Sequence, residues 1–324
     1  RRHVCLMDIN RNIDALNWSK EPKGLYEPIA YALSGGGKRL RPMLALLACD
    51  LCGGQKEDVL PAALALEVFH NFTLLHDDVM DHASLRRARP SVNALFGDNA
   101  AILSGDQMLI EAYKLIAQVP ADKQVTTLSL FNEMATGVCE GQQLDFETLP
   151  LDKVSLEDYI NMIRLKTSVL LAYALKIGAY ISEATKAQEQ VLYDFGLHLG
   201  LAFQIQDDVL DVYGDERTFG KTIGGDICEG KKTFVFLTAR DNSDEITRQS
   251  LFEAMALPSG TAEQRKNKIE RVISLYNRVR TRERAEAAIA EHTTQALKQL
   301  ETFSDSEAKQ TLISLAEQLV TRQS

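Results

Sequence analysis

Two short stretches of this sequence each set three carboxylates into apolar surroundings. "LLHDDVMDHASLRR" runs from Leu74 to Arg87, and "QIQDDVLD" from Gln204 to Asp211. In both, the acids are spaced D-D-x-x-D: Asp77, Asp78 and Asp81 in the first, Asp207, Asp208 and Asp211 in the second. On a helix, residues four apart stand one above the other. Asp77 and Asp81 therefore share a face, with Asp78 about 100° round, and the second motif repeats that geometry. Unpaired buried carboxylates are costly, so these acids must be protonated, paired or bound to cations. Mg²⁺ takes one or two carboxylates together with waters and substrate phosphates. With no histidine or cysteine cage beside them, the acids point to Mg²⁺ held between protein and a polyphosphate.

Three segments rich in glycine or proline supply the opposite charge: "SGGGKRLRP" at 34–42, "LRRARPS" at 85–91 and "YGDERTFGKTIGGDICEGKK" at 213–232. The last two directly follow the acidic motifs. "GGGKRLR" is not a nucleotide-binding P-loop, because Arg39 follows Lys38 where Ser or Thr is required and Ala32 stands at the first glycine position. It supplies mobile backbone with Lys38, Arg39 and Arg41, suited to gripping an anion. Arg39, between two candidate ligands, reads as a surface or structural residue.

The elements that must position these groups read as helix almost throughout. Residues 59–83 and 189–213 keep apolar side chains at helical spacing over six or seven turns, around most of the circumference. They predict central, buried helices that end in the acids. Further helices are expected at about 25–33, 40–52, 92–118, 123–147, 155–182, 232–240, 244–256, 261–280, 282–301 and 305–322. Ser155 is a candidate N-cap, and Thr261 with Gln264 a candidate capping box. No repeat and no Pro/Gly/Ser-rich linker divides the chain, so one all-α domain over 1–324 is expected.

Composition bounds the alternatives. The 324 residues are 45% hydrophobic and 25% charged, ordinary values for a globular protein. A net charge of −9 argues against a nucleic-acid partner. Cys5, Cys49, Cys52, Cys139 and Cys228 are too few and too scattered for a disulfide framework, and the C-x-x-C at 49–52 closes an apolar helix with no second pair to complete a zinc site. No membrane span or signal peptide is read, and a cytoplasmic location is expected.

In this order, "GGGKRLRP", "LLHDDVMD…RR", "KT" at 166–167 and "FQIQDDVLD…GK…GGD…GKK" resemble the trans-prenyl diphosphate synthases, the polyprenyl synthetase family. The likeness covers about residues 30–240 and is of the short-chain type that makes geranylgeranyl or farnesyl diphosphate. It implies an isoprenoid synthase fold, a helical bundle around a central cavity, assembled as a homodimer with three Mg²⁺ ions per active site. The substrates it implies are isopentenyl diphosphate and an allylic diphosphate (dimethylallyl, geranyl or farnesyl). By the same resemblance, Asp77, Asp78 and Asp81 hold Mg²⁺ on the allylic diphosphate with Asp207, Asp208 and Asp211 opposite, Asp207 foremost. Lys38, Arg41, His70 and Arg87 match the isopentenyl diphosphate site. Arg86, Lys166, Lys221 and Lys231 match the allylic diphosphate ligands, and Thr167 and Gln204 fall where oxygen dipoles face the allylic cation. One departure is "RRARP" for the usual "RRGxP". If that glycine carries a positive φ, Ala88 is strained.

Chain length is read from the residues before the first motif. With the diphosphate anchored at Asp77, Phe72 lies roughly 7.5 Å down the helix and Phe69 a further ~4.5 Å. An aromatic at Phe72 beside the small Thr73 resembles short-chain synthases and favours a C20 over a C15 product. Competing readings are a medium- or long-chain polyprenyl synthase, a terpene cyclase, a non-catalytic partner subunit, and an HD-type metal phosphohydrolase suggested by His76-Asp77. The last lacks the further histidines such a site needs.

Overall fold

Helix occupies most of the chain because its apolar residues recur at helical spacing and its breakers cluster at the connections. The computed structural model describes residues 2–147, 149–215 and 223–321, with side chains from residue 8. Within these lie α1 (Arg2–Asp14), α2 (Lys23–Ser34), α3 (Leu40–Leu51), α4 (Lys56–Met80), the strands β1 (Leu85–Arg86) and β2 (Arg89–Pro90), then α5 (Val92–Phe96), α6 (Asp98–Ile116), α7 (Gln124–Phe146), α8 (Leu156–Ile163), α9 (Val169–Ile181) and α10 (Lys186–Tyr213). Shorter and later helices span Gly225–Cys228, Phe234–Asp241, Glu245–Met255, Ala262–Arg278, Thr281–Gln299 and Glu307–Thr321. The all-α expectation holds.

Contacts group the residues into two units. The first comprises Arg1–Glu133, Tyr173–Tyr193 and Ser304–Leu312; the second comprises Met134–Ala172, Asp194–Phe303 and Ile313–Ser324. No linker marks the division in sequence, since α7, α9 and α10 each run through it without a break.

In the first unit α4 packs along α3 and α6, burying Leu66, Val68 and Phe69. By length and composition alone α4 is apolar enough to cross a membrane, although the sequence reading found no such run; in the fold most of it is buried against protein. In the second unit Phe234–Asp241 lies against Thr281–Gln299 and Ala262–Arg278, with Phe195, Phe236 and Tyr276 fully buried.

Two expected helices are interrupted. Gly97, at φ 93°, separates α5 from α6, a conformation open to glycine and costly for other residues. Between α8 and α9 the backbone widens into a π-helical turn over Arg164–Ser168. Backbones press on both sides of that turn: a Cβ on Gly141 would lie 2.5 Å from the Lys166 nitrogen, and one on Gly200 2.6 Å from the Ser168 Cα. Both expected caps form as full capping boxes, Ser155 with Asp158 and Thr261 with Gln264.

Candidate active site

The first acidic motif closes α4. Asp77 is half-buried, Asp81 is the exposed C-cap, and Asp78 is buried. Both Asp78 oxygens are taken by Arg86, at 3.2 Å from Nε and 2.7 Å from Nη2. Through this two-pronged pair Asp78 anchors the Arg86 guanidinium.

Arg86 is carried by a hairpin that the sequence reading did not foresee. β1 and β2 pair Leu85 with Pro90 and Arg86 with Arg89. The two-residue turn between them, Arg87-Ala88, has φ of 53° and 62°. Positive φ at both positions is the type I′ hairpin turn, which normally calls for Asn-Gly. Ala88 therefore sits in the left-handed region without glycine's freedom, as the departure from "RRGxP" suggested.

The hairpin is stitched to the glycine loop of residues 34–38. Arg87 Nη1 donates to the Gly36 carbonyl at 2.8 Å, and a Cβ on Gly37 would meet the Arg87 guanidinium at 3.0 Å. The Arg89 guanidinium lies 3.9 Å over the Tyr31 ring and donates to the Tyr31 carbonyl, while the Tyr31 hydroxyl donates to the Pro90 carbonyl at 2.6 Å. Arg39, also left-handed at φ 49°, turns inward to a buried ion pair with Glu67 at 2.8 Å, so it is structural and not on the surface. Breaking such a pair from one side costs ~3–5 kcal/mol.

These anchors collect positive charge around His70. Burial, then Arg41, Arg87, Arg86 and Arg39, hold its imidazolium well below the ordinary histidine range, so the ring is neutral at pH 7. Burial takes the Arg41 guanidinium down to about 10, and its Nε is buried without a hydrogen-bond partner. Glu67 is already engaged by Arg39 and Asp78 by Arg86. Glu67 offsets part of the charge on Arg41 and Arg87, and the positive charge that remains suits an anion with several oxygens.

Behind the motif, aromatic rings stack from α4 into the first unit. Phe72 contacts Phe69 at 5.4 Å between centroids, Phe69 contacts Phe131 at 5.3 Å, and Phe131 contacts Tyr113 at 5.2 Å. Thr73 bonds back to the His70 carbonyl and stays small beside Phe72. His76 is held by the Ile102 carbonyl at 3.0 Å and Asp106 at 3.5 Å.

The second motif lies within α10. Asp208 is buried and accepts from the Tyr159 hydroxyl and the Phe234 N–H on Oδ2 (3.0 Å for the latter), and from Gln204 Nε2 on Oδ1 at 3.1 Å. Burial lifts its carboxyl to about 7 despite those donors. Asp211 is buried as well, its Oδ2 accepting the Asp226 N–H at 3.0 Å. Asp207 is half-buried. Asp208 and Asp211 each accept hydrogen bonds from protein donors. Lys166, in the π-helical turn, pairs with Asp145 at 2.6 Å, and Thr167 follows it half-buried. Lys231 lies 3.6 Å from Asp226 and 3.3 Å from Glu229. Lys221 falls outside the described residues.

Tyr159, Asp226 and Asp145 escaped the sequence reading. Only Asp226 had a signal, as the acid of the "GGD" already quoted; Tyr159 and Asp145 read as ordinary helix residues. Among the described residues no three His, Cys, Asp or Glu side chains form a ready-made metal cage. Mg²⁺ takes one or two carboxylates and completes its shell with phosphate and water. Asp77 and Asp81, one turn apart with Asp78 diverted to Arg86, offer this all-oxygen donor set.

Comparison with known proteins agrees. The sequence model of the family Polyprenyl synthetase matches residues 22–274. A geranylgeranyl pyrophosphate synthase of Geoglobus acetivorans is 34% identical over 316 residues, 97% of this chain and 96% of its own. A crystal structure of a geranylgeranyl pyrophosphate synthase superposes with a TM-score of 0.91 at 42% identity, covering 100% of this chain and 98% of that one. A polyprenyl synthase from Caulobacter crescentus, solved with calcium and isoprenyl diphosphate, gives 0.86 at 27% identity over 100% of this chain and 95% of its own. The chain belongs to the polyprenyl synthetase family and is a trans-prenyltransferase.

Proposed function

We propose that this protein condenses isopentenyl diphosphate with an allylic diphosphate (dimethylallyl, geranyl or farnesyl) and releases geranylgeranyl diphosphate as its main product. The observation that carries this reading is the cationic cluster around neutral His70, built from Arg41 and Arg87, whose acid Glu67 is paired with Arg39. It supports an isopentenyl diphosphate site there, with Lys38 beside it in sequence and the carboxylates of Asp77 and Asp81 left to the allylic diphosphate. A terpene cyclase has no use for such a second anion site.

Asp77, Asp81 and Asp207 are the carboxylates assigned to Mg²⁺, three ions by family resemblance. When bound, Mg²⁺ neutralises charge that builds on the departing diphosphate. Arg86, oriented by Asp78, adds a fixed guanidinium to that diphosphate, joined by Lys166, Lys231 and Lys221. Thr167 and Gln204 offer oxygen dipoles to the allylic cation, a preorganised arrangement that works best away from water. The double bond of isopentenyl diphosphate then attacks, and a proton is lost. The Phe72, Phe69 and Phe131 rings form the floor against which the growing chain stops.

A homodimer is part of the same reading, supported by Ile102, Leu103 and Ile110, large apolar side chains left exposed on α6. One experiment tests the reading: purified protein, labelled isopentenyl diphosphate and each allylic starter, with and without Mg²⁺, followed by chromatography. A Mg²⁺-dependent C20 product is expected. No incorporation with any starter would overturn the reading.

A further inference from the structure

Gln204 lies three residues before Asp207 and four before Asp208, one helical turn back on the same side of α10. Its amide has two unlike ends, and which of them meets the substrate decides whether it attracts or repels a cation. Nε2 donates to Asp208 Oδ1 at 3.1 Å. Oδ2 of the same carboxylate is already filled by the Tyr159 hydroxyl and the Phe234 N–H. Gln204 is therefore the sole described partner of Oδ1, and a carboxylate with its other oxygen so occupied calls for a donor there. The Gln204 oxygen Oε1 has no hydrogen bond among the described residues and is not sealed in the interior. An unsatisfied acceptor at an accessible position fits a group kept ready for an electropositive ligand.

We propose that Asp208 and Tyr159 are positioning residues: they lock the Gln204 amide with its NH₂ turned to Asp208 and its carbonyl oxygen presented to the developing allylic cation. This rests on the prenyltransferase reading of Gln204 and departs from the metal role expected for Asp208. Tyr159 is suited to the task because it is buried and stands in the first turn of α8, which the Ser155–Asp158 capping box fixes. Helix α8 thereby controls a side chain on α10 through one carboxylate.

The decisive variant is Asp208→Asn, which keeps the shape. Its oxygen must stay where Tyr159 and the Phe234 N–H donate, so its new NH₂ faces Gln204 and turns that amide over. The expected kinetic result is a fall in kcat of roughly 10- to 100-fold. KM for both diphosphates and the Mg²⁺ concentration for half activity should stay within about threefold. In a Gln204→Met background the same Asp208→Asn change should lower kcat by less than about threefold, because the two act through one amide. Tyr159→Phe, which leaves the carboxylate in place, should fall between wild type and Asp208→Asn.

A rise in Mg²⁺ requirement in Asp208→Asn would show a ligand role and overturn the proposal. So would an equal loss of kcat in both backgrounds. Orientation is read separately in glutamine-¹⁵N-labelled protein, with Gln204→Met identifying the signal. The Gln204 NH₂ should exchange with water at least ~10-fold more slowly than an exposed glutamine's, and lose that protection in Asp208→Asn. Fast exchange in the wild type refutes the orientation whatever the enzyme makes. If instead the wild type transfers no prenyl group while its Gln204 NH₂ is protected, the function assigned above fails and the lock itself stands.

Discussion

The two aspartate motifs have the same spacing and unlike surroundings. In the first, the middle acid meets a cation, since Arg86 grips both oxygens of Asp78. In the second, the middle acid meets only neutral donors, the Tyr159 hydroxyl, the Phe234 N–H and the Gln204 amide. The third acid differs too: Asp81 ends α4 in solvent, whereas Asp211 stays inside α10 and holds the Asp226 N–H. Only the leading acids, Asp77 and Asp207, are alike in being half-buried. A repeated motif thus repeats its surroundings at the first position, while the other positions differ with the local fold.

The largest expected effect tests that shared position. Asp77→Ala or Asp207→Ala should each reduce turnover by at least ~100-fold with little change in melting temperature, because each removes a carboxylate assigned to the metal. Exhaustive chelation should abolish activity and Mg²⁺ should restore it. Near-normal rates in either folded variant would break the comparison at its root.

Next in size is the split between neighbouring arginines. Arg86 faces Asp78 and Arg87 reaches the Gly36 carbonyl beside Arg41 and His70. Arg86→Ala should therefore raise KM chiefly for the allylic diphosphate, and Arg87→Ala chiefly for isopentenyl diphosphate, each by roughly tenfold. Steady-state kinetics with each substrate varied in turn decides it, and equal losses in both variants would contradict separate sites.

The residues preceding each motif sharpen the contrast. Five before Asp77 stands Phe72, and five before Asp207 stands Ala202, fully buried. At that position only the first motif carries a ring. Phe72→Ala should shift products toward longer chains by chromatography while turnover persists, and Phe69→Ala added to it should lengthen them further. An unchanged product distribution in the active double variant would move the floor to another helix.

The middle acid of the second motif also makes stability depend on pH. Burial raises the Asp208 carboxyl to about 7, well above its ordinary value of 3.8. A raised carboxyl contributes stability in full below about pH 4 and loses it as pH climbs through about 7, since the folded state holds the proton longer. In metal-free melts between pH 5 and 8, the wild type should therefore lose ground to Asp208→Asn as pH rises. A gap independent of pH would show that the buried carboxyl does not carry the effect.

The smallest effect concerns the hairpin after the first motif. Ala88 at φ 62° is strained by ~1–2 kcal/mol, partly offset by the greater chain entropy of glycine. Ala88→Gly should stabilise the protein by ~0.5–1 kcal/mol in denaturant melts without lowering activity. A destabilised variant would show that the turn is not under strain.

Helical periodicity and the acid–base spacing of the motifs made the fold class and most site residues legible, because both are local properties of the chain. The aspartates and basic loops could be named from order alone, as could the Ser155 N-cap and the Thr261–Gln264 capping box. The tertiary structure decided the rest. Which donors meet a carboxylate depends on what packs against it: Arg86 reaches Asp78, the Tyr159 hydroxyl reaches Asp208 and the Asp226 N–H reaches Asp211. Arg39 was ambiguous until Glu67, 28 residues away, met it in the interior. The hairpin hid because Arg-Ala carries none of the glycine or asparagine that announces a type I′ turn. Tyr159 reached Asp208 across 49 residues of sequence, a separation over which neither spacing nor composition carries information and only packing does.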